Sequence, residues 1–348
     1  MLPYLELKDI SKSFSGVRAL RGVNLRLEQG EIRCLVGENG SGKSTLIKLV
    51  AGIIRPDSGS VLIDGEEHSF LRPRLSIAKG IQVIYQDFSL FPNLTVAENV
   101  ALNTLVASGR RTIDRGEMNE IARKAMERLQ VRLDPDALVE ELPVASKQLG
   151  AIARAVVQGA RLIIMDEPTT ALTRQEIERL LAIMEEQKRR GVSALFVTHK
   201  LDEVLKVSDT ITVLRNGRVV ADKEARQFDT NRLTFFMTGR EIAAARFHYE
   251  KASGERPFLR VRGLNLPGAY RDVSFDLYRG EILGITGTLG CGATELALSL
   301  FGFQPAKSGT IEISGGAVRV NSVRDAMRLG IAYVPEDRLS EGLLLPVS

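Results

Sequence analysis

Largely apolar runs of four or five residues recur along the chain at Ile32 to Val36, Ile81 to Tyr85, Leu162 to Met165 and Ser193 to Val197. Such runs, closed by turn or acidic residues, predict strands buried on both faces. Between them the apolar spacing turns helical, over Ser44 to Val50, Thr95 to Val106, Glu117 to Gln130 and Arg174 to Arg190. In the last two helices Ile121, Met126 and Leu129, then Ile177, Leu180, Leu181 and Met184, form the faces predicted to meet a core, and the interleaved charges face water. Residues 4 to 27 read as short strands with a turn at Ser15-Gly16, and Pro56-Asp57-Ser58-Gly59 is a turn into a strand over Ser60 to Ile63. From Phe88 to about Glu141 no strong strand intervenes, so this stretch reads as a mostly helical insert in an α/β fold.

Composition adds limits more than direction. At 348 residues the chain has room for two domains, each with its own core. Charged residues make up 26%, and the net charge of +4 with no Trp gives no nucleic-acid signal and no stacking platform for single strands. Cys34 and Cys291 lie far apart, without partners at metal-ligand spacing, and are expected as reduced thiols. The first residues carry no targeting pattern, and no apolar segment is long enough to span a bilayer. A membrane role would therefore come through a partner.

The sharpest local signal is Gly37-Glu38-Asn39-Gly40-Ser41-Gly42-Lys43-Ser44-Thr45, a G-x-x-x-x-G-K-[ST] phosphate loop with the strand before it and the helix after it that the motif requires. Its glycines let backbone N–H groups face phosphates, Lys43 is placed to bridge the β- and γ-phosphates of ATP, and Ser44 to ligate Mg²⁺. The apolar run at 162–165 stops at Asp166-Glu167. Joined to a phosphate loop, Asp166 is a candidate metal ligand and Glu167 a candidate general base. His199, one of three histidines, ends the next strand and is expected at the same sheet edge. Phe14, just before the Ser15-Gly16 turn, is either a core or edge aromatic or an adenine-stacking one. Gln86 alone means little.

Together these residues resemble an ATP-binding-cassette (ABC) ATPase: Walker A at 37–45, a Q-loop at Gln86, Walker B ending in Asp166-Glu167, a D-loop at Ala171-Leu172-Thr173 and a switch histidine at His199. Lys12-Ser13-Phe14-Ser15-Gly16-Val17, Met165 to Thr173 and Val334-Pro335-Glu336-Asp337-Arg338 resemble in particular the ATPase subunits of bacterial monosaccharide importers of the ribose/galactose/xylose/autoinducer-2 type. The resemblance covers the whole chain. It implies a P-loop NTPase (RecA-like) fold with an antiparallel β subdomain and a helical subdomain at about 88–145. It also implies Phe14 stacked on adenine, and Gln86 sensing Mg²⁺ and a membrane partner. The implied partners are integral membrane permease subunits, a solute-binding protein and a second ABC domain, at the cytoplasmic face of the inner (plasma) membrane. One segment departs from the family. Its signature, close to Leu-Ser-Gly-Gly-Gln, falls at Leu142-Pro143-Val144-Ala145-Ser146-Lys147-Gln148, where Pro143 removes a hydroxyl and an N–H and Ala145 adds a Cβ. Losing one transition-state donor costs on the order of 10²–10³ in rate, so this signature is expected to be catalytically poor.

The chain also repeats itself. Arg21-Gly22-Val23 matches Arg271-Asp272-Val273, Gly30-Glu31-Ile32 matches Gly280-Glu281-Ile282, and Gly59 matches Gly309, all 250 residues apart. The organisation expected is a first ABC domain over 1–240, a linker over 241–256 and an incomplete second ABC domain over 257–348. In the second phosphate loop, Gly287 to Thr294, Ala293 stands where Lys43 stands in the first, and Glu336 stands at the Q-loop position. In the family two domains pair head to tail, so the poor signature would face the lysine-less loop, leaving the site on Lys43, Asp166 and Glu167 as the hydrolytic one. The second signature and Walker B would map beyond Ser348, which reads as a fragment or truncated product. The strand Glu281 to Gly287 is then expected to lack a neighbour and leave an aggregation-prone edge. Two other readings compete with a sugar-import ATPase. A soluble ABC protein of translation or DNA repair would show a coiled-coil insert or a strongly basic inter-domain segment, and neither is visible. A nucleotide-binding but non-hydrolysing regulatory module is favoured by Pro143 and Ala293.

Overall fold

The computed structural model describes residues 3–85, 88–107, 114–170, 172–198, 200–240, 256–288 and 290–335. The chain divides into two compact units, Met1–Ala244 and Ala245–Ser348. The first unit runs β1 (Leu5–Phe14), β2 (Val17–Leu27), β3 (Ile32–Val36), α1 (Lys43–Val50), β4 (Ser58–Ile63), β5 (Glu66–His68), α2 (Pro73–Ala78), β6 (Ile81–Ile84), α3 (Val96–Ala107), α4 (Arg115–Leu129), α5 (Val144–Val157), β7 (Leu162–Asp166), α6 (Arg174–Arg189), β8 (Ser193–Val197), α7 (Leu201–Val207), β9 (Thr210–Arg215), β10 (Arg218–Glu224) and α8 (Thr230–Thr238). The strands expected to be short over residues 4–27 are instead ten and eleven residues long. Shifts of register at Leu7/Ile10, Ile10/Lys12 and Lys12/Ser13 let the hairpin bend without ending, which a period-two pattern reads as interruption.

Two sheets form this unit: an antiparallel one in the order β2-β1-β4-β5, and a six-stranded one in the order β10-β9-β3-β8-β7-β6. In the second, β9, β3, β8, β7 and β6 pair in parallel, and β10 closes the edge antiparallel. Side chains alternate across the parallel strands. Ile163, Met165, Ala194 and Phe196 face a core shared with α3 to α6, whereas Leu162, Ile164, Leu195 and Val197 face one shared with α1 and the antiparallel sheet. Both faces are covered, so the strands read as unbroken apolar runs. Arg33 is the exception in β3; its guanidinium is buried but paired with Glu31 at 3.0 Å, with Thr212 at 2.8 Å and with Asp222.

The helical insert is held by its own signals. Asp114 caps α4 by accepting from Gly116 N–H, and Asn99, buried, exchanges hydrogen bonds with Phe91 and also donates to the carbonyls of Leu94 and Thr95. As the spacing predicts, Met126 and Leu129 are buried and Ile121 packs against the same cluster. Thr173 and Glu176 form a reciprocal capping box at the start of α6. The base of β7 is tied to the antiparallel sheet by Arg161, which lies 4.4 Å over the Tyr4 ring and holds Asp64 through two bonds of 2.6 and 2.8 Å.

The second unit contains β11 (Leu259–Leu266), β12 (Tyr270–Leu277), α9 (Ala293–Leu300), β13 (Ser308–Ile313), β14 (Gly316–Val318) and α10 (Val323–Arg328), with its sheet in the order β12-β11-β13-β14. This repeats β2-β1-β4-β5, and individual bonds repeat with it. Gly22 N–H donates to Ser11 Oγ at 3.0 Å and Asp272 N–H to Asn265 Oδ1 at 2.8 Å; Glu28 N–H donates to Glu31 at 2.6 Å and Tyr278 N–H to Glu281 at 2.8 Å. The second hairpin is shorter, with strands of eight residues, and the pair that closes its tip is Leu266 and a buried Tyr270. The strand expected over Glu281 to Gly287 does not form: the segment has no ladder partner among the described residues, and Ile282 and Ile285 are 78% and 51% exposed. Their counterparts Ile32 and Leu35 are fully buried because β3 is bonded on both sides. An apolar run becomes a strand only where a neighbour supplies its hydrogen bonds.

Two substitutions separate apolar packing from a single buried hydrogen bond in the first unit. Ile164→Ala, at a fully buried position, is expected to cost about 2–5 kcal/mol. Tyr4→Phe removes the 2.8 Å bond from the hydroxyl to the Lys79 carbonyl and is expected to cost about 1–3 kcal/mol, because that carbonyl is left unpaired. Urea unfolding of both variants, followed through the main transition, measures the difference.

Candidate functional site

The phosphate loop joins the C-terminal end of β3 to the first turn of α1, with Gly42 as the N-cap of α1 at φ 109°. Glycine is required at two places for different reasons. A Cβ on Gly37 would lie 2.1 Å from the Leu214 carbonyl oxygen; one on Gly42 would lie 2.5 Å from that of Ala19, on a backbone that other residues rarely adopt. The loop is thus pressed between β2 and β9. Lys43 is buried, and its ammonium donates to the carbonyls of Gly37 at 2.7 Å and Glu38 at 2.9 Å. Burial lowers the Lys43 pKa, opposed by the carboxylates of Glu167 and Asp166. Ser41 Oγ is buried with no hydrogen-bond partner.

Asp166 closes β7, and Glu167 follows at φ 49°, a left-handed backbone that turns the chain sharply at the sheet edge. Hydrogen bonds on both sides hold that turn: Glu167 N–H donates to the Val197 carbonyl at 2.8 Å, and Thr170 Oγ1 donates to Glu167 O and to its carboxylate, each at 3.3 Å. Thr169, itself buried, donates through its hydroxyl to Glu203, and Lys200 Nζ donates to the Thr169 carbonyl at 2.7 Å. The pKa of Asp166 is raised, first by burial and then by the charge of Glu167, with Lys43 and Lys48 opposing. A lysine and an aspartate both disfavoured in their charged forms by burial face each other across the loop.

A cleft of about 470 Å³ brings these residues together: Asn39, Gly40, Gly42, Lys43, Ser44 and Thr45 from the loop, and Asp166 and Glu167 from β7. Of the other predicted loop residues, Gly37, Glu38 and Ser41 belong to the same turn without lining the cleft. Phe14, at the end of β1, is 44% exposed with the Lys12 ammonium 5.5 Å from its ring, and it too is absent from the lining. Its partner across the hairpin, Val17, does line the cleft. Gln86, Ala171, His199 and Glu336 lie outside the described residues. Sequence reasoning missed Arg18, Ala19, Arg21 and Asn216, which complete the walls. The only trace of Asn216 in the sequence is the Asn-Gly turn signal, which reads as a hairpin and not as a site.

The departures from the family pattern have structural counterparts. Pro143 is the N-cap of α5 and supplies no side-chain cap, leaving the first turn of that helix without the hydroxyl a serine would bring. In the second loop Gly292 keeps its φ of 89° and its fit, since a Cβ there would lie 2.5 Å from the Ala269 carbonyl oxygen, yet the next residue is Ala293. No cluster of three or more His, Cys, Asp or Glu side chains among the described residues could hold a metal unaided.

Known proteins match this geometry. The ABC transporter family profile matches residues 20–170 and 270–344. The ribose import ATP-binding protein RbsA 2 of Rubrobacter xylanophilus is 42% identical over all of this chain and 67% of its own length, and the ribose import ATP-binding protein RbsA of Rhodococcus jostii is 40% identical over all of this chain and 69% of its own. A putative ribose/galactose/methyl galactoside import ATP-binding protein of Geobacillus kaustophilus is 40% identical over 99% of this chain. The chain spans about two thirds of the length of these relatives. Among solved structures, a nucleotide-free ATP-binding cassette from an ABC transporter superposes with a TM-score of 0.60 at 27% identity, covering 67% of this chain and 96% of that one. A dimeric cassette in a post-hydrolysis state with ADP and Pi superposes at 0.57 and 27% identity, covering 64% and 100%. By its matched segments and its relatives, the chain belongs to the ABC transporter family of ATP-binding cassettes.

Proposed function

We propose that this protein binds and hydrolyses ATP to energise import of a sugar or similar small solute through a separate membrane permease, working from a single competent half-site in the first unit. The observation that carries the proposal is the convergence of Lys43, Ser44, Asp166 and Glu167 on one cleft, in a chain whose relatives are named as import ATP-binding proteins.

The residues present fit a magnesium nucleotide. The Lys43 ammonium lines the cleft and is held by carbonyls of its own loop, so it gains anionic acceptors when phosphate oxygens arrive. Mg²⁺ retains water and phosphate ligands and needs few from protein, which suits a site offering the Ser44 hydroxyl and the Asp166 carboxylate. When bound it supplies charge neutralisation across the β- and γ-phosphates. Lys43 then turns from the loop to the phosphates and Glu167 accepts a proton from the attacking water, while the family resemblance implies His199 as the switch histidine and Gln86 as a sensor of Mg²⁺ and the membrane partner.

Phe14 is assigned to the adenine, across the hairpin from Val17. The permease subunits are assigned to an apolar groove of about 320 Å³ that includes Ile53, Ile77 and Phe91, each more than half exposed. Among the described residues no helix is long and apolar enough to cross a membrane. The proposal puts the protein peripherally at the cytoplasmic face, with a solute-binding protein acting through the permease, on the strength of the names of its import relatives. Residues 257–348 are assigned to a second ABC domain whose loop, lacking a lysine, does not hydrolyse.

Lys43→Ala is expected to weaken MgATP binding by about 10²-fold, the loss of a charged hydrogen-bond donor. Glu167→Gln should keep binding while lowering turnover by about 10²–10⁴-fold. Calorimetry and phosphate release across a range of protein concentrations test both. Wild-type protein that binds through Lys43 without turnover at any concentration would support the non-hydrolysing alternative.

The raised Asp166 pKa gives a separate signature. A carboxyl whose folded pKa lies above its unfolded one favours folding below the unfolded value, and that advantage is lost as pH rises through the folded value. Asp166→Asn removes this loss. It should therefore raise the thermal midpoint of the nucleotide-free protein at neutral pH, with the gain shrinking toward pH 4, and abolish stabilisation by Mg²⁺ with ATP. Thermal melts at several pH values check the sign.

A further inference from the structure

The cleft has a wall that no part of the catalytic proposal uses. The β9–β10 hairpin turns through two residues, Asn216 at φ 50° and Gly217 at φ 76°, with Arg215 and Arg218 paired on either side. These are the left-handed angles of the tight hairpin turn that Asn-Gly favours. Three contacts join this turn to the site. Gly217 N–H donates to the Ser41 carbonyl at 3.0 Å, the Gly217 carbonyl accepts from Arg21 N–H at 2.8 Å, and a Cβ on Gly217 would lie 2.7 Å from the Ala19 carbonyl oxygen. Just before the turn, the Leu214 carbonyl is the group that forbids a side chain on Gly37. The turn is therefore bonded through its backbone to the phosphate loop and to β2, and Asn216 lines the nucleotide cleft beside Ala19 and Arg21.

Resting on the nucleotide-binding reading above, we propose that Asn216 is a nucleotide-contacting residue and that Gly217 is the backbone staple that holds both it and the phosphate loop in place. The amide has a donor and an acceptor, which suits the hydroxyl groups and ring nitrogens of a nucleoside; the triphosphate already has Lys43 and the loop. Arg21 and Gly217 hold the turn toward β2, the strand that also brings Val17 to the cleft. The contact thus falls on the nucleoside end and is common to ATP and ADP.

Asn216→Gly is the discriminating variant, because glycine keeps the left-handed turn and removes only the amide. It is expected to weaken ATP and ADP binding alike, by about three- to tenfold, as for one lost hydrogen bond, with an unchanged melting temperature in the absence of nucleotide. Gly217→Ala should lower both that melting temperature and the affinity, because its Cβ displaces the staple. Calorimetric titration of the full chain with each nucleotide reads both effects. Wild-type affinity in Asn216→Gly would overturn the assignment and leave the asparagine as a turn residue only; a loss confined to ATP would overturn its placement at the nucleoside end. Lys43→Ala separates the two levels of the argument. If wild-type protein binds no nucleotide, or binds independently of Lys43, the underlying reading fails; if binding depends on Lys43 but not on Asn216, only this inference does.

Discussion

Close backbone contact at the phosphate loop is the constraint around which the first unit is arranged. Two glycines touch carbonyl oxygens of β9 and of the β2 strand at distances that leave no room for a side chain. Chain segments near residues 19, 37, 42 and 214 must therefore meet in one small volume, although about 190 residues of sequence separate some of them. The parallel sheet does this by setting β3 beside β9, and the antiparallel hairpin folds over the top. Loop, sheet edge and hairpin act as one piece, and the charged groups are mounted on it.

The charges are poised by burial more than by one another. Desolvation is the leading influence on both Lys43 and Asp166, and in each case it works against the charged form. The ammonium meets this by bonding to carbonyls of its own loop. A site held in that condition gains from an incoming anion and cation together more than from either alone, since each relieves a different penalty. The turn at Glu167, in a strained left-handed conformation, is held in place by Val197 on one side and by the Thr169, Lys200 and Glu203 contacts on the other.

Much of this was legible from the residues alone. The apolar runs marked β3, β6, β7 and β8 almost to the residue, because strands buried on both faces leave a continuous signature. The loop motif and the two carboxylates were legible because their chemistry depends on local spacing. Val17, Arg18, Arg21 and Asn216 were not placed in the site, since they reach it through two hairpins whose folding over the cleft is a tertiary event. The hairpin strands were read as too short because bulges break the alternation without breaking the strand. The segment 281–287 was read as a strand lacking a neighbour; among the described residues it has no ladder partner, and without one its apolar composition forms no strand.

The second loop carries a lesson about how protein segments change over time. Gly292, like Gly42, has a left-handed backbone and a tight fit against a carbonyl, although alanine stands beside it where the first loop has lysine. Steric demands on a glycine and chemical demands on a lysine are separate pressures, and the former survive the loss of the latter because the hairpin still has to close over the turn. A glycine-rich fingerprint therefore records ancestry and architecture, and counting nucleotide sites by their glycines overstates how many still do chemistry.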